Sequence, residues 1–148
     1  MDAIEIKDLP GAVGREVVSD WLQITQERVN AFADATGDHQ WIHVDVARAT
    51  KEIGGPIAHG YLTLSLIPHL AEGLTAIKGV VRGINYGSDK VRFTNMVRVG
   101  KRVRLRQKLL AVEPKSGGMQ LKNLCTIEIE GEERPACVAE TLSVLYGA

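Results

Sequence analysis

The period of apolar positions changes near residue 80. Before it the spacing is mostly helical. Val17 to Ile24 is short and mixed and predicts a first strand. From Gln26 the apolar positions Val29, Phe32, Ala33 and Ala35 recur at helical spacing. Thr25 suits the N-cap, since its hydroxyl can accept from an orphan first-turn amide. Gly37 suits the stop, because glycine takes positive φ without a Cβ clash. The spacing therefore predicts a helix over 26–36. Asp38 to His43 reads as a polar, irregular connector, with Asp45 capping a short turn through Ala47 and Ala49. Gly54-Gly55-Pro56 is a loop signal. The longest apolar segment follows, His59 to about Ile77, and its apolar positions cover more than one helix face. Such a helix is expected to be buried. Pro68 frees the carbonyl of Leu64 and is expected to bend it, and Gly79 to end it.

Beyond residue 80 apolar and polar positions alternate. Val81 to Phe93 predicts a strand with a bulge at Gly87. Lys101 to Val112 places Val103, Leu105 and Leu109 on one face and Arg102, Arg104, Arg106 and Lys108 on the other. Ser116-Gly117-Gly118 is a hairpin signal. Met119 to Glu130 turns Leu121, Cys125, Ile127 and Ile129 inward, and Ala136 to Tyr146 is the last strand. Strands joined by hairpin-length links are antiparallel. Their sheet needs one face covered, and the apolar helix is the element large enough to do it. The fold class is α+β: a curved antiparallel sheet wrapped around one long central helix.

Composition narrows the function. The chain has 148 residues, 45% hydrophobic and 24% charged, which fits one globular domain. Its formal net charge is zero, which argues against a strongly basic nucleic-acid binder. Two cysteines make no disulfide framework, so a reducing compartment is expected. The most apolar stretch, Gly60 to Ile77, is interrupted by Thr63, Ser65, Pro68, His69 and Glu72, and no membrane span is expected. Met1 to Pro10 carries Asp2, Glu5 and Asp8 and resembles neither a signal nor a transit peptide. The expected setting is cytoplasmic.

Two places carry candidate chemistry. Asp38 and His43 lie five positions apart in the connector after Gly37. A turn there can bring a carboxylate and an imidazole onto one pocket wall, a strong acceptor beside a group that titrates near neutrality. The plainer alternative is that Asp38 caps a turn and His43 is an ordinary loop residue. The second place is Gly54 to Tyr61, ahead of the apolar helix. A first helical turn has free amides and a positive dipole end. Gly60 would let a ligand oxygen come close to the backbone, as an oxyanion site requires. Its plainer alternative is a loop glycine at a helix entry.

These segments together resemble the MaoC-like, (R)-specific enoyl-CoA hydratases. Their signature runs through an aromatic residue, a small residue, Gly-Asp, Asn-Pro, an aliphatic residue and His. Phe32, Thr36, Gly37, Asp38, Ile42 and His43 fit it, while Gln40 and Trp41 replace the Asn-Pro pair. Gly55-Pro56-Ile57-Ala58-His59-Gly60, Lys90-Val91-Arg92-Phe93 and Val99-Gly100-Lys101 also resemble that family. The likeness spans about residues 15 to 145. It implies a hotdog fold and a homodimer whose sheets join edge to edge, with sites near the interface. It also implies a substrate that is a trans-2-enoyl thioester of coenzyme A or an acyl carrier. Asp38 and His43 would then activate one water, and the Gly60 amide would hold the thioester carbonyl. No metal or redox cofactor is implied, coenzyme A being part of the substrate.

The remaining candidates are weaker. Trp41, Ala58, His59 and Tyr86 could line the substrate site, and Lys90 and Arg92 could meet coenzyme A phosphates. The face Arg102, Arg104, Arg106 and Lys108 reads first as solvated strand surface. Asp38, His39, His43 and His59 match no common zinc spacing. Cys125 and Cys137 read as core thiols. Two other functions compete. One is a hotdog acyl-CoA thioesterase, for which the apolar helix offers only Glu72; the other is a non-catalytic acyl-thioester-binding subunit.

Overall fold

Helix 26–36 forms as its caps require. In the computed structural model, which describes residues 3–148, α1 spans Gln26–Thr36. Met1 and Asp2 of the leading segment lie outside the described residues. Thr25 Oγ1 accepts from the Arg28 amide, and Gly37 closes the helix at φ 83°. Before α1 come β1 (Ile4–Glu5), a 3₁₀ segment (Ile6–Ala12), β2 (Glu16–Val18) and β3 (Leu22–Gln23). The predicted first strand is therefore two short ones, with Ser19 between them binding Leu105 through backbone and side chain.

The connector is more regular than its composition suggested. Trp41–Val44 makes one helical turn, α2, and Asp45 caps a two-turn helix, α3 (Val46–Ile53). The central helix is shorter than predicted. It is two consecutive segments, α4 (Gly60–Ser65) and α5 (Ile67–Ala71), joined at Leu66. Pro68 has no amide for the carbonyl of Leu64, which breaks the hydrogen-bond ladder. The stop is not Gly79, because Gly73 already takes φ 77°. Ile77 accordingly sits in β4 (Ile77–Lys78), paired with Ile4, and packs with Leu9 in a small second core. Nor is the helix buried all round. Leu62, Thr63, Leu66, Ile67 and Leu70 face the sheet, while Tyr61 is 69% exposed.

Four long strands follow: β5 (Val80–Arg92), β6 (Arg102–Lys115), β7 (Gly118–Ile129) and β8 (Cys137–Gly147). The sheet order is β2-β6-β7-β8-β5, with β3 also on β6, and every pairing in it is antiparallel. The bulge at Gly87 is present as a register shift between Asn85 and Gly87. Val103, Leu105, Cys125, Ile127 and Ile129 form the main core with α4 and α5. This is the hotdog arrangement with a short, bent filling. Among the described residues, the three arginines of the basic face of β6 are paired, while Lys108 stays exposed. Arg102 pairs with Glu130, Arg104 with Glu128 at 2.8 Å, and Arg106 with Glu16 and Glu128. Hydrogen bonding from Arg104, then Arg106, holds the Glu128 carboxyl below its ordinary range. Both cysteines are buried, and burial raises the Cys137 thiol to about 11.

Candidate active site

The site is assembled by backbone ties between three short elements. Gln26, the first residue of α1, donates from Nε2 to the His43 carbonyl at 2.8 Å. That fixes α2 against α1. The loop 54–58 is held from two sides: the Ile57 amide donates to Ile42 and the Ala58 amide to Val97. Arg98 Nη1 adds a bond to the Gly55 carbonyl at 2.8 Å. Each tie spans elements far apart in sequence, so the site exists only once the fold has closed.

His43 is buried, and its Nδ1 lies 2.7 Å from the Ile57 carbonyl. A carbonyl only accepts, so Nδ1 carries the hydrogen and Nε2 is left as the acceptor. His59 is 2% exposed and stacks on His43, with ring centroids 3.8 Å apart and planes 22° apart. Its Nε2 donates to the Asp38 carbonyl at 3.0 Å, which leaves Nδ1 bare. The Nδ1 atom is buried without a partner among the described residues. Asp38 Oδ1 accepts from the Gln40 amide at 3.3 Å. A carboxylate oxygen of Asp38, a ring nitrogen of His43 and one of His59 lie within 4.8 Å of one another. One water can bridge that span from Asp38 to His43.

Those three side chains are also a metal-ligand set by type. Imidazole lone pairs lie in the ring plane, however, and the two planes run nearly parallel. They do not converge on one ion at the roughly 2.0–2.1 Å that zinc–nitrogen bonds need.

Beside His43 opens a cavity of about 330 Å³, lined also by Ala58, Gly60, Thr63, Phe93 and Arg134. Gly60 begins α4, so its amide has no intrahelical partner. A Cβ there would stand 3.1 Å from the Phe93 ring, so a larger residue would have to push the ring aside by a few tenths of an ångström. The structure thus brings Asp38, His43, Ala58, His59 and Gly60 together. It does not bring Trp41, which packs under Arg48 at 4.1 Å. Tyr86 lines a different cavity on the sheet side of α4–α5. Lys90 pairs with Glu140, and Arg92 donates to its neighbour's carbonyl. His39 leaves the cluster for Asp34 at 2.9 Å, and that hydrogen bond raises its pKa. Of the lining residues, Phe93 lies in the Lys90–Phe93 segment that resembles the family, while Thr63 and Arg134 are not site candidates in the sequence. Thr63 had a signal, since it lies one turn after Gly60 on the same helix face. Arg134 sits in a turn with no motif around it.

The site class is thus an α+β hotdog with an Asp38–His43 loop beside a cavity at the start of α4. The chain belongs to the MaoC-like domain family, which it matches over residues 8–127. It is 51% identical over 140 residues to 3-hydroxyacyl-thioester dehydratase Z of Mycobacterium tuberculosis, covering 93% of each chain. It is 40% identical over 150 residues to nodulation protein N of Rhizobium leguminosarum bv. viciae, covering 98% of this chain and 93% of that one. Among solved structures it resembles the (R)-hydratase of A. caviae involved in PHA biosynthesis. That likeness has TM-score 0.70 and 26% identity, covering 88% of this chain and 94% of the other.

Proposed function

We propose that this protein is a hydro-lyase that reversibly adds water across trans-2-enoyl thioesters, giving (R)-3-hydroxyacyl thioesters. The observation that carries the reading is the grouping of Asp38 and His43 within bridging reach of one water, beside the Gly60 helix mouth. In the hydration direction the Gly60 amide donates to the thioester oxygen and draws electron density from C3. Water held by Asp38 and His43 attacks C3, one of its protons passing to the pair. A proton from the pair then reaches C2 as the C2–C3 double bond becomes single. An oxyanion donor contributes about 3–4 kcal/mol to such a step. No electrons are exchanged, so the chemistry calls for no redox group, and acid–base groups suffice without a metal. The thioester carrier is coenzyme A or an acyl carrier protein.

The test is spectrophotometric. Crotonyl-CoA loses its conjugated absorbance on hydration, and we expect that loss with this protein. Release of free thiol would instead make it a thioesterase, though Glu72 lies exposed beyond the end of α5. Neither signal would leave a binding subunit.

The same reading includes a homodimer. Tyr61, Phe93 and Met96 are exposed large apolar residues around the site, and edge strand β5 exposes Val81, Ile84 and Tyr86. An edge with free backbone groups and apolar side chains is a pairing surface. Joining β5 to β5 covers it. Light scattering is expected to give twice the chain mass, and Ile84→Lys to lower it toward one; a monomeric parent overturns the dimer. Among the described residues no helix is long and apolar enough to cross a membrane. With two buried, unpaired thiols, the compartment proposed is the reducing cytoplasm.

A further inference from the structure

The inward face of the sheet is not apolar throughout. At one end Leu105, Cys125, Ile127 and Ala139 belong to the main core. At the other, Leu109, Leu121 and Leu145 pack with Leu9 in the second core. Between them the inward positions of three neighbouring strands are Gln107, Asn123, Thr141 and Ser143. Asn123 stands opposite Leu109 on one side and Thr141 on the other, and Ser143 opposite Leu121. Strict alternation would put aliphatic residues at all four places. Instead they form a belt of neutral hydrogen-bonding groups between two apolar cores. Gln107 and Thr141 each reach the Cys125 sulfur at 3.5 Å. Among the described residues, Asn123 and Ser143 make no side-chain hydrogen bond.

The belt faces a cavity of about 560 Å³ whose opposite wall is Leu64, Ser65, Ile67 and Pro68, and no charged residue lines it. Beyond it a second cavity of about 210 Å³ shares Gln107, Asn123 and Ser143 and continues among Leu9, Leu109 and Leu121, with Arg15 as its charged lining residue. Gly60 and Thr63 line the cavity with His43, whereas Leu64 and Ser65 line this one. The two cavities therefore adjoin neighbouring residues of the same short helix, α4.

We propose that the Gln107–Asn123–Thr141–Ser143 belt selects enoyl thioesters whose acyl chain carries an uncharged oxygen function, a hydroxyl or keto group, ahead of an apolar end. This rests on the hydratase reading above. A plain alkyl chain lying across the belt would strip Asn123 and Ser143 of solvent and offer no replacement, whereas a hydroxyl or keto oxygen supplies one. A carboxylate would find no cation in the belt. The carrier's pantetheine arm is also neutral and polar, but it ends in phosphates, whereas the cavity beyond the belt is mostly aliphatic, with Arg15 as its one cation.

The test compares kcat/KM for two trans-2-enoyl-CoA substrates of equal length, one plain and one hydroxylated at mid-chain. The parent is expected to favour the hydroxylated chain by at least about tenfold, because sites built around hydrogen bonds reject analogues lacking them. Asn123→Leu is expected to reverse that preference, and the smaller change Ser143→Ala to reduce it. Equal or opposite preference in the parent overturns the proposal, as does a ratio that neither variant moves. A change confined to the ratio of crotonyl-CoA to crotonyl N-acetylcysteamine thioester would assign the belt to the carrier arm and also overturn it. Failure of the parent to hydrate crotonyl-CoA would strike the hydratase reading itself.

Discussion

Asp38→Asn and His43→Gln are each expected to lower hydration of crotonyl-CoA by about 10²–10⁴-fold, the range for losing a positioned acid–base group. The geometry gives each change a separate reason. Asp38 keeps its bond from the Gln40 amide through Oδ1, and an asparagine can keep that turn with its own oxygen. What it would lose is the negative charge that, in the proposed mechanism, holds water and takes a proton. Glutamine at position 43 can donate to the Ile57 carbonyl but has no ring nitrogen to accept or release a proton. Both variants are expected to keep the parent's far-ultraviolet dichroism and thermal midpoint within a few degrees. Pre-steady-state mixing would show that substrate still binds. Full hydration rates in both variants would refute the assignment.

The next largest effect is expected at His59. Its ring is packed between Phe32 and His43, and its Nε2 holds the backbone of Asp38. His59→Phe keeps an aromatic ring there but leaves the Asp38 carbonyl without its donor. The carboxylate is then free to drift from His43, and misplacement by about 1 Å can cost about 10²-fold in rate. The loss is expected in kcat with KM little changed, since His59 acts through Asp38 rather than on substrate. His59→Gln, which can donate to the same carbonyl, is expected to recover part of kcat. Thermal stability is expected to hold in the Phe variant, because it removes a buried nitrogen that has no partner. Equal losses in the Phe and Gln variants would mean that the histidine ring, not the tie to Asp38, is what matters.

Helix α1 was legible to the residue because both ends carry local chemistry, Thr25 at one and Gly37 at the other. The hairpin at Ser116–Gly118 and the inward residues of β6 and β7 were legible for the same reason: turn residues and period-two alternation are local signals. The central helix was only half legible. Leucines at 64, 66, 70 and 74 read as one helix because apolar runs look alike whether helical or not, and nothing local marks Gly73 rather than Gly79 as the stop. The helical turn at Trp41–Val44 was hidden by polar neighbours.

The proposed Asp38–His43 pair is legible in the sequence, since its members share one short connector and resemble a family signature. The stacking of His59 on His43, its hold on Asp38 and the bare Nδ1 could not be seen that way. They depend on loop 54–58 being tied to α2 and to Val97, contacts between residues 15 to 39 positions apart. The polar belt is a further case: Gln107, Asn123, Thr141 and Ser143 are unremarkable one strand at a time. They become a single surface only when antiparallel register sets three strands side by side. Capping, turn chemistry and alternation act over a few neighbouring residues and are written in their order. The hydrogen-bond partners of the histidines and the lining of the cavities arise from groups that meet only across the closed fold.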